Sequence, residues 1–199
     1  MANTDAAFGM RPVGHLDGSP WNGKVSMYLV PSTYASTMFV GDPCQVAGSA
    51  GAAGTVVNGI DVEGMPTITR YVAGSTCRGV IVGFLPLQSN LEALHNPAST
   101  NRIALVCDAP DVIFEIQEDS DTSTVAAADV SENADLITYA AGNTTTGRSI
   151  AELDSTTHTA GAATLRILGL SKRPGNELGS FAKWLVVFAE HDFKSATGV

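Results

Sequence analysis

Apolar and polar side chains alternate with a period of two along several short stretches of this chain. In residues 24–30, Val25, Met27 and Leu29 oppose Ser26, Tyr28 and Val30. In residues 67–72, Ile68, Arg70 and Val72 oppose Thr69 and Tyr71, and in 112–117, Val112, Phe114 and Ile116 oppose Ile113, Glu115 and Gln117. Leu165 and Ile167 share a face, as do Trp184, Val186 and Phe188. Successive side chains of a strand point to opposite faces, so this period predicts strands. The β-branched and aromatic content of these runs suits a pleated surface. Residues 79–87 and 103–107 are apolar on both faces and predict central strands. Residues 55–62 are weakly strand-like, interrupted by Asn58-Gly59.

Turn residues punctuate these runs. Gly41-Asp42-Pro43 separates the short runs 37–40 and 44–47, and Asn96-Pro97 marks a turn in the connector 91–101. Between 103–107 and 112–117 lies Cys107-Asp108-Ala109-Pro110-Asp111, where Pro110 presets a tight turn. The expectation is a β-hairpin at the centre of the domain. Residues 48–54, 142–147 and 172–179 read as loops. A short strand is expected at 136–140, a single helical turn within 126–135, and another at Ser149-Ile150-Ala151-Glu152, which has capping-box spacing. No stretch sustains a 3.6-residue period. The fold class is therefore all-β: a small β-barrel or sandwich with long loops, a jelly roll being the alternative. The expected core is Ile81, Val82, Phe84, Leu105, Phe114, Ile116, Ile167, Trp184, Val186 and Phe188.

Composition sharpens this picture. The 199 residues are 44% hydrophobic, enough to bury a core, but only 16% charged, which suggests a surface partly covered by partners. The net charge of −9 and the lack of any Lys/Arg cluster argue against nucleic-acid binding. Cys44, Cys77 and Cys107 are odd in number and lack CxxC spacing, so buried free thiols are expected, suited to a reducing cytoplasm. The first residues lack the basic and apolar regions of a signal peptide, and no run has the roughly 20 apolar residues of a membrane span.

Residues 1–23 carry Phe8, Met10, Val13 and Trp21 among glycines and prolines. Gly9 and Pro12 oppose a helix. This segment reads as an extended N-terminal arm that packs on a neighbouring subunit or, as the alternative, on its own domain, with residues 24–193 as a single β-rich domain and 194–199 as a tail. Arg11 is the one Lys or Arg within the first 23 residues.

Catalytic signatures are missing. The chain has no GxSxG, P-loop, HExxH or GxGxxG leading into a helix. His15, His95, His158 and His191 are scattered in loops and tails and read as surface residues. Glu118-Asp119-Ser120-Asp121 lacks calcium-loop spacing and reads as a solvated acidic turn. No catalytic residue, cofactor or metal is expected.

Several strings occur in a fixed order: NTDAAFGMRPVGHLDG, FVGDPCQV, GVIVGF, NPASTNRIALVCDAPDVIFEIQED and RPGNELGSFAKWLVVFAEHDF. Together they span most of the chain and resemble the capsid decoration, or cement, proteins of tailed bacteriophages. The resemblance implies a non-enzymatic virion protein on the outer surface of the head, assembled in the host cytoplasm. It implies the major capsid protein as partner, self-association as a homotrimer, and an N-terminal arm laid on the capsid. The candidate contact residues are Phe8, Met10, Arg11, Pro12, Val13 and Trp21. A lectin-like or adhesin β-sandwich binding module is the alternative.

Overall fold

The computed structural model describes residues 3–138 and 141–195. The end of the expected strand 136–140 and most of the expected tail lie outside them. The fold is all-β with mixed sheets. In chain order the strands are β1 (Arg11–His15), β2 (Ser26–Val30), β3 (Pro43–Ala50), β4 (Val56–Val57) and β5 (Ile60–Asp61). Next come β6 (Pro66–Arg70), β7 (Gly79–Phe84), β8 (Arg102–Cys107) and β9 (Val112–Gln117). The last are β10 (Asn133–Ala134), β11 (Leu136–Ile137), β12 (Glu152–Leu153), β13 (Leu165–Leu170) and β14 (Lys183–Phe188). Two single 3-10 turns, Ala127–Asp129 and Asp192–Lys194, are the helical elements among the described residues.

Five strands pair in a closed ring, β2-β6-β3-β7-β8, in which β2 and β6 run parallel. A second, antiparallel sheet has the order β1-β9-β14-β13-β10. The expected hairpin is therefore corrected. β8 and β9 both form, but β8 pairs with β2 and β7 in the ring while β9 pairs with β1 and β14 in the sheet. Both edges of each strand are taken, so neither has one free for the other. Residues 108–111 carry the chain between the two layers. Asp108 is fixed at this crossing by hydroxyls from β2: Tyr28 donates to it at 2.7 Å and Ser26 at 3.1 Å.

The largest core cluster lies under the antiparallel sheet and includes Phe114, Ile116, Ile167, Trp184, Val186 and Phe188. A second cluster, with Ile68, Ile81, Ala104 and Val106, belongs to the ring. Each fully buried aliphatic or Phe side chain contributes about 1.5–3 kcal/mol relative to exposure. Val82, Phe84 and Leu105, expected in the core, are only partly buried. The all-apolar β7 is buried through Ile81, and Val82 then reaches the rim of a groove.

Local expectations fared unevenly. Asn58 and Gly59, both at positive φ (53° and 76°), turn the chain between β4 and β5, as a two-residue hairpin loop requires. Ser149 starts no helix. Its hydroxyl accepts the Ala151 N–H at 3.0 Å, and the chain continues as β12. The same side-chain oxygen that caps a helix also closes a local turn. The loop expected at 48–54 begins later, because β3 runs to Ala50.

Candidate functional site

Of the two expectations for residues 1–23, an arm on a neighbour or an arm on its own domain, the central part follows the second. β1 lies antiparallel on β9, with Arg11 opposite Glu115, Pro12 opposite Phe114 and His15 opposite Val112. Without it β9 would be a bare sheet edge carrying Phe114. Met10 is 2% exposed and joins the main core. The Met10 N–H donates to the Gly41 carbonyl at 2.9 Å. Here the chain crosses the 39–42 turn at two glycines of positive φ, Gly9 and Gly41. A Cβ on Gly9 would sit 2.6 Å from both the Gly41 oxygen and the Ser149 Cβ, so the close approach requires glycine. Residues 11–15 thus use their own sheet, not a foreign sheet edge.

Residues 3–8 form a strap along the same face, held by polar contacts. Asn3 donates to the carbonyls of Glu177 and Ser180, and Lys183 Nζ donates to the Thr4 carbonyl at 2.9 Å. Gln117 takes the Ala6 N–H on its oxygen. Its amide nitrogen donates to Asp5 at 3.0 Å and to Glu152 at 2.9 Å. Burial pushes the Glu152 carboxyl up to about 7, and the charges of Asp5 and Asp119 add to the shift. The polar side of β9 is consequently not solvated. Glu115 is buried and accepts from Arg11, Arg173 and the Ser171 hydroxyl, while Gln117 is fully buried beneath the strap.

Strap, β1 and ring together enclose a groove of about 270 Å³. Phe8, Met10, Arg11, Pro12 and Trp21 line it with Val40, Gly41, Ile81, Val82 and Arg148. Five of the six residues singled out from the sequence converge here. Val13 lies elsewhere, 40% exposed. Arg148 was missed. It arrives because Val40 donates to the Gly147 carbonyl and Ser149 donates to the Val40 carbonyl, which sets residues 147–149 beside the 39–42 turn. One signal pointed to it: Arg148 is the single Lys or Arg between Arg102 and Arg166.

Other titratable groups serve the fold. Glu118, read as part of a solvated acidic turn, is fully buried. It accepts from Trp184 Nε1 at 3.2 Å, the Val125 N–H at 2.8 Å and the Ser120 hydroxyl at 3.0 Å. Burial raises its pKa from the ordinary glutamate value. His191, read as a surface residue, is buried and pushed down to about 4, chiefly by desolvation; its Nδ1 accepts the Phe193 N–H. Cys44, Cys77 and Cys107 are buried free thiols, and burial pushes Cys77 and Cys107 up to about 12, far from a reactive thiolate. One group of metal-ligand types gathers among the described residues: Asp129, Glu132 and His158. His158 Nδ1 lies 3.3 Å from Glu132 Oε2, within hydrogen-bond reach, and 3.6 Å from Asp129 Oδ1. Comparisons with family models, curated proteins and solved structures find no match to this chain.

Proposed function

We propose that this chain is a non-enzymatic virion protein that coats the outer surface of a tailed-phage head and stabilises it by bridging major capsid protein subunits. The observation that carries the reading is the groove. Five of the residues picked out from the sequence as capsid contacts meet in one largely apolar depression that two arginines, Arg11 and Arg148, help to line. On this reading the five-stranded ring is a small tulip-like barrel, three copies associate as a homotrimer, and the groove-bearing face meets the capsid. The net charge of −9 fits a protein that meets other proteins and not the packaged DNA.

The test is to add the purified full chain to heads assembled without it, then follow co-sedimentation and the temperature at which the heads rupture. Saturable binding with a raised rupture temperature is expected. Heads that neither bind the protein nor gain stability overturn the reading.

A further inference from the structure

We propose that the groove between residues 8–12 and β7 docks an extended acidic segment of a partner protein, which seats one apolar side chain in the depression that Arg11 and Arg148 help to line. This deepens the reading above, and rests on it only in taking that partner to be a capsid subunit.

The size of the groove limits the occupant. About 270 Å³ lies at the small end of the ~300–1,000 Å³ of pockets that enclose drug-sized ligands. It suits a side chain and the backbone beside it. The accessible apolar wall comes from Phe8, Pro12, Trp21, Val40 and Val82, all partly buried, with the buried Met10 and Ile81 beneath. Arginine, tryptophan, methionine and phenylalanine are the residue types enriched where proteins anchor one another. The walls are also preorganised. Backbone bonds of 2.8–2.9 Å join Met10 to Gly41, Val40 to Gly147 and Ser149 to Val40, so little ordering remains to be done on binding.

Charge then selects the partner. The chain has 20 acidic and 11 basic residues, yet both charged residues lining the groove are arginines. Glu115 is shared by Arg11 and Arg173, which leaves one positive charge in excess. Among the described residues no carboxylate pairs with Arg148, and its side chain is exposed. Arg11 stacks over the Phe8 ring at 5.4 Å, which holds its plane while its edges stay available to a second carboxylate. A groove whose charged lining is two arginines favours an acidic segment and repels a basic one.

Trp21 provides the readout. The other tryptophan, Trp184, is fully buried in the core, so an emission change on titration reports the groove. The probe is an acetylated Glu-Asp-Leu-Phe-Glu-Asp peptide added to the full-length protein, with a Lys-Lys-Leu-Phe-Lys-Lys peptide as comparison. Saturable change with the acidic peptide alone is expected, weakening as salt rises. Arg148→Glu should reduce the affinity at least about tenfold, because it replaces attraction by repulsion. Arg166→Glu, which makes the same charge change on β13 away from the groove, should leave the affinity unaltered. Thermal melts establish that both variants fold. The proposal is overturned by equal response to the two peptides, by equal weakening in the two variants, or by no response up to about 1 mM peptide. Failure of the wild-type protein to coat heads overturns the capsid reading and leaves the peptide result standing.

Discussion

Residues 3–8 and residues 9–15 follow one another without a break, yet opposite physics holds them. The first stretch is a strap of exposed and half-buried residues tied by side-chain hydrogen bonds to Gln117, Lys183 and the loop around Glu177. The second threads two glycines, buries Met10 and completes the antiparallel sheet as β1. The difference teaches that a terminal segment rich in glycine and proline need not be one unit. Apolar burial and strand pairing fix one half. In the other half, polar bonds worth about 0.5–1.5 kcal/mol each oppose a backbone ordering cost of about 1–2 kcal/mol per residue, so little net stability remains.

Removing both halves should have the largest effect. Deleting residues 2–14 strips most of β1 from β9 and Met10 from the core. The expected loss exceeds about 5 kcal/mol, comparable to the whole stability of many domains. A truncated chain that melts cooperatively in urea within about 1 kcal/mol of the full protein would show β1 to be dispensable. Point changes come next. Phe114→Ala, in the core opposite Pro12, should cost about 3–5 kcal/mol, and Met10→Ala about 2–5 kcal/mol, both read from denaturant melts. Removing residues 3–7 alone should cost under about 2 kcal/mol. A larger loss would erase the distinction between the halves.

The smallest expected effect is one of pH. The Glu152 carboxyl, ordinarily at 4.5, is pushed up to about 7 in the fold by burial, with Asp5 and Asp119 adding. Between those values the folded protein keeps a proton that the unfolded chain has released. The associated stability is therefore full below about 4.5 and is lost as pH rises through about 7. Ionised Glu152 then lies across Gln117 from Asp5, and the strap loosens. Amide exchange at Ala6, corrected for the intrinsic pH dependence, should accelerate through neutrality, and Glu152→Gln should flatten that profile. A flat wild-type profile would remove Glu152 from control of the strap.

The sequence announced most strands but not their partners. Alternation located β2, β6, β9, β13 and β14, because a strand with one buried face writes its period into the chain. It said nothing about pairing. A five-residue turn with Pro110 serves equally to fold a hairpin or to cross between two layers, and only the tertiary competition for strand edges decides. Glu115 and Gln117 show a related limit. Polar residues on one face of a strand normally mean solvent, but here distant residues cover and satisfy them: Asp5, Arg11, Glu152, Ser171 and Arg173. Glu118 and His191 were hidden in the same way, since local sequence does not reveal a partner more than 60 residues away such as Trp184. Phe8, Met10, Pro12 and Trp21 of the groove were legible as unexplained side chains in a poorly patterned terminus. Arg148 needed the fold to bring residues 147–149 against Val40.

The central claim is that the N-terminal segment divides at Gly9, with a releasable strap before it and an integral strand after it. Native-state hydrogen exchange resolved by residue tests this most directly. The account predicts that the bonded amides of β1 exchange as slowly as those of β9 and β14, through opening of the whole sheet, and that Ala6 exchanges far faster. Exchange of β1 at the rate of the strap would contradict it and would return residues 1–23 to the status of a free arm.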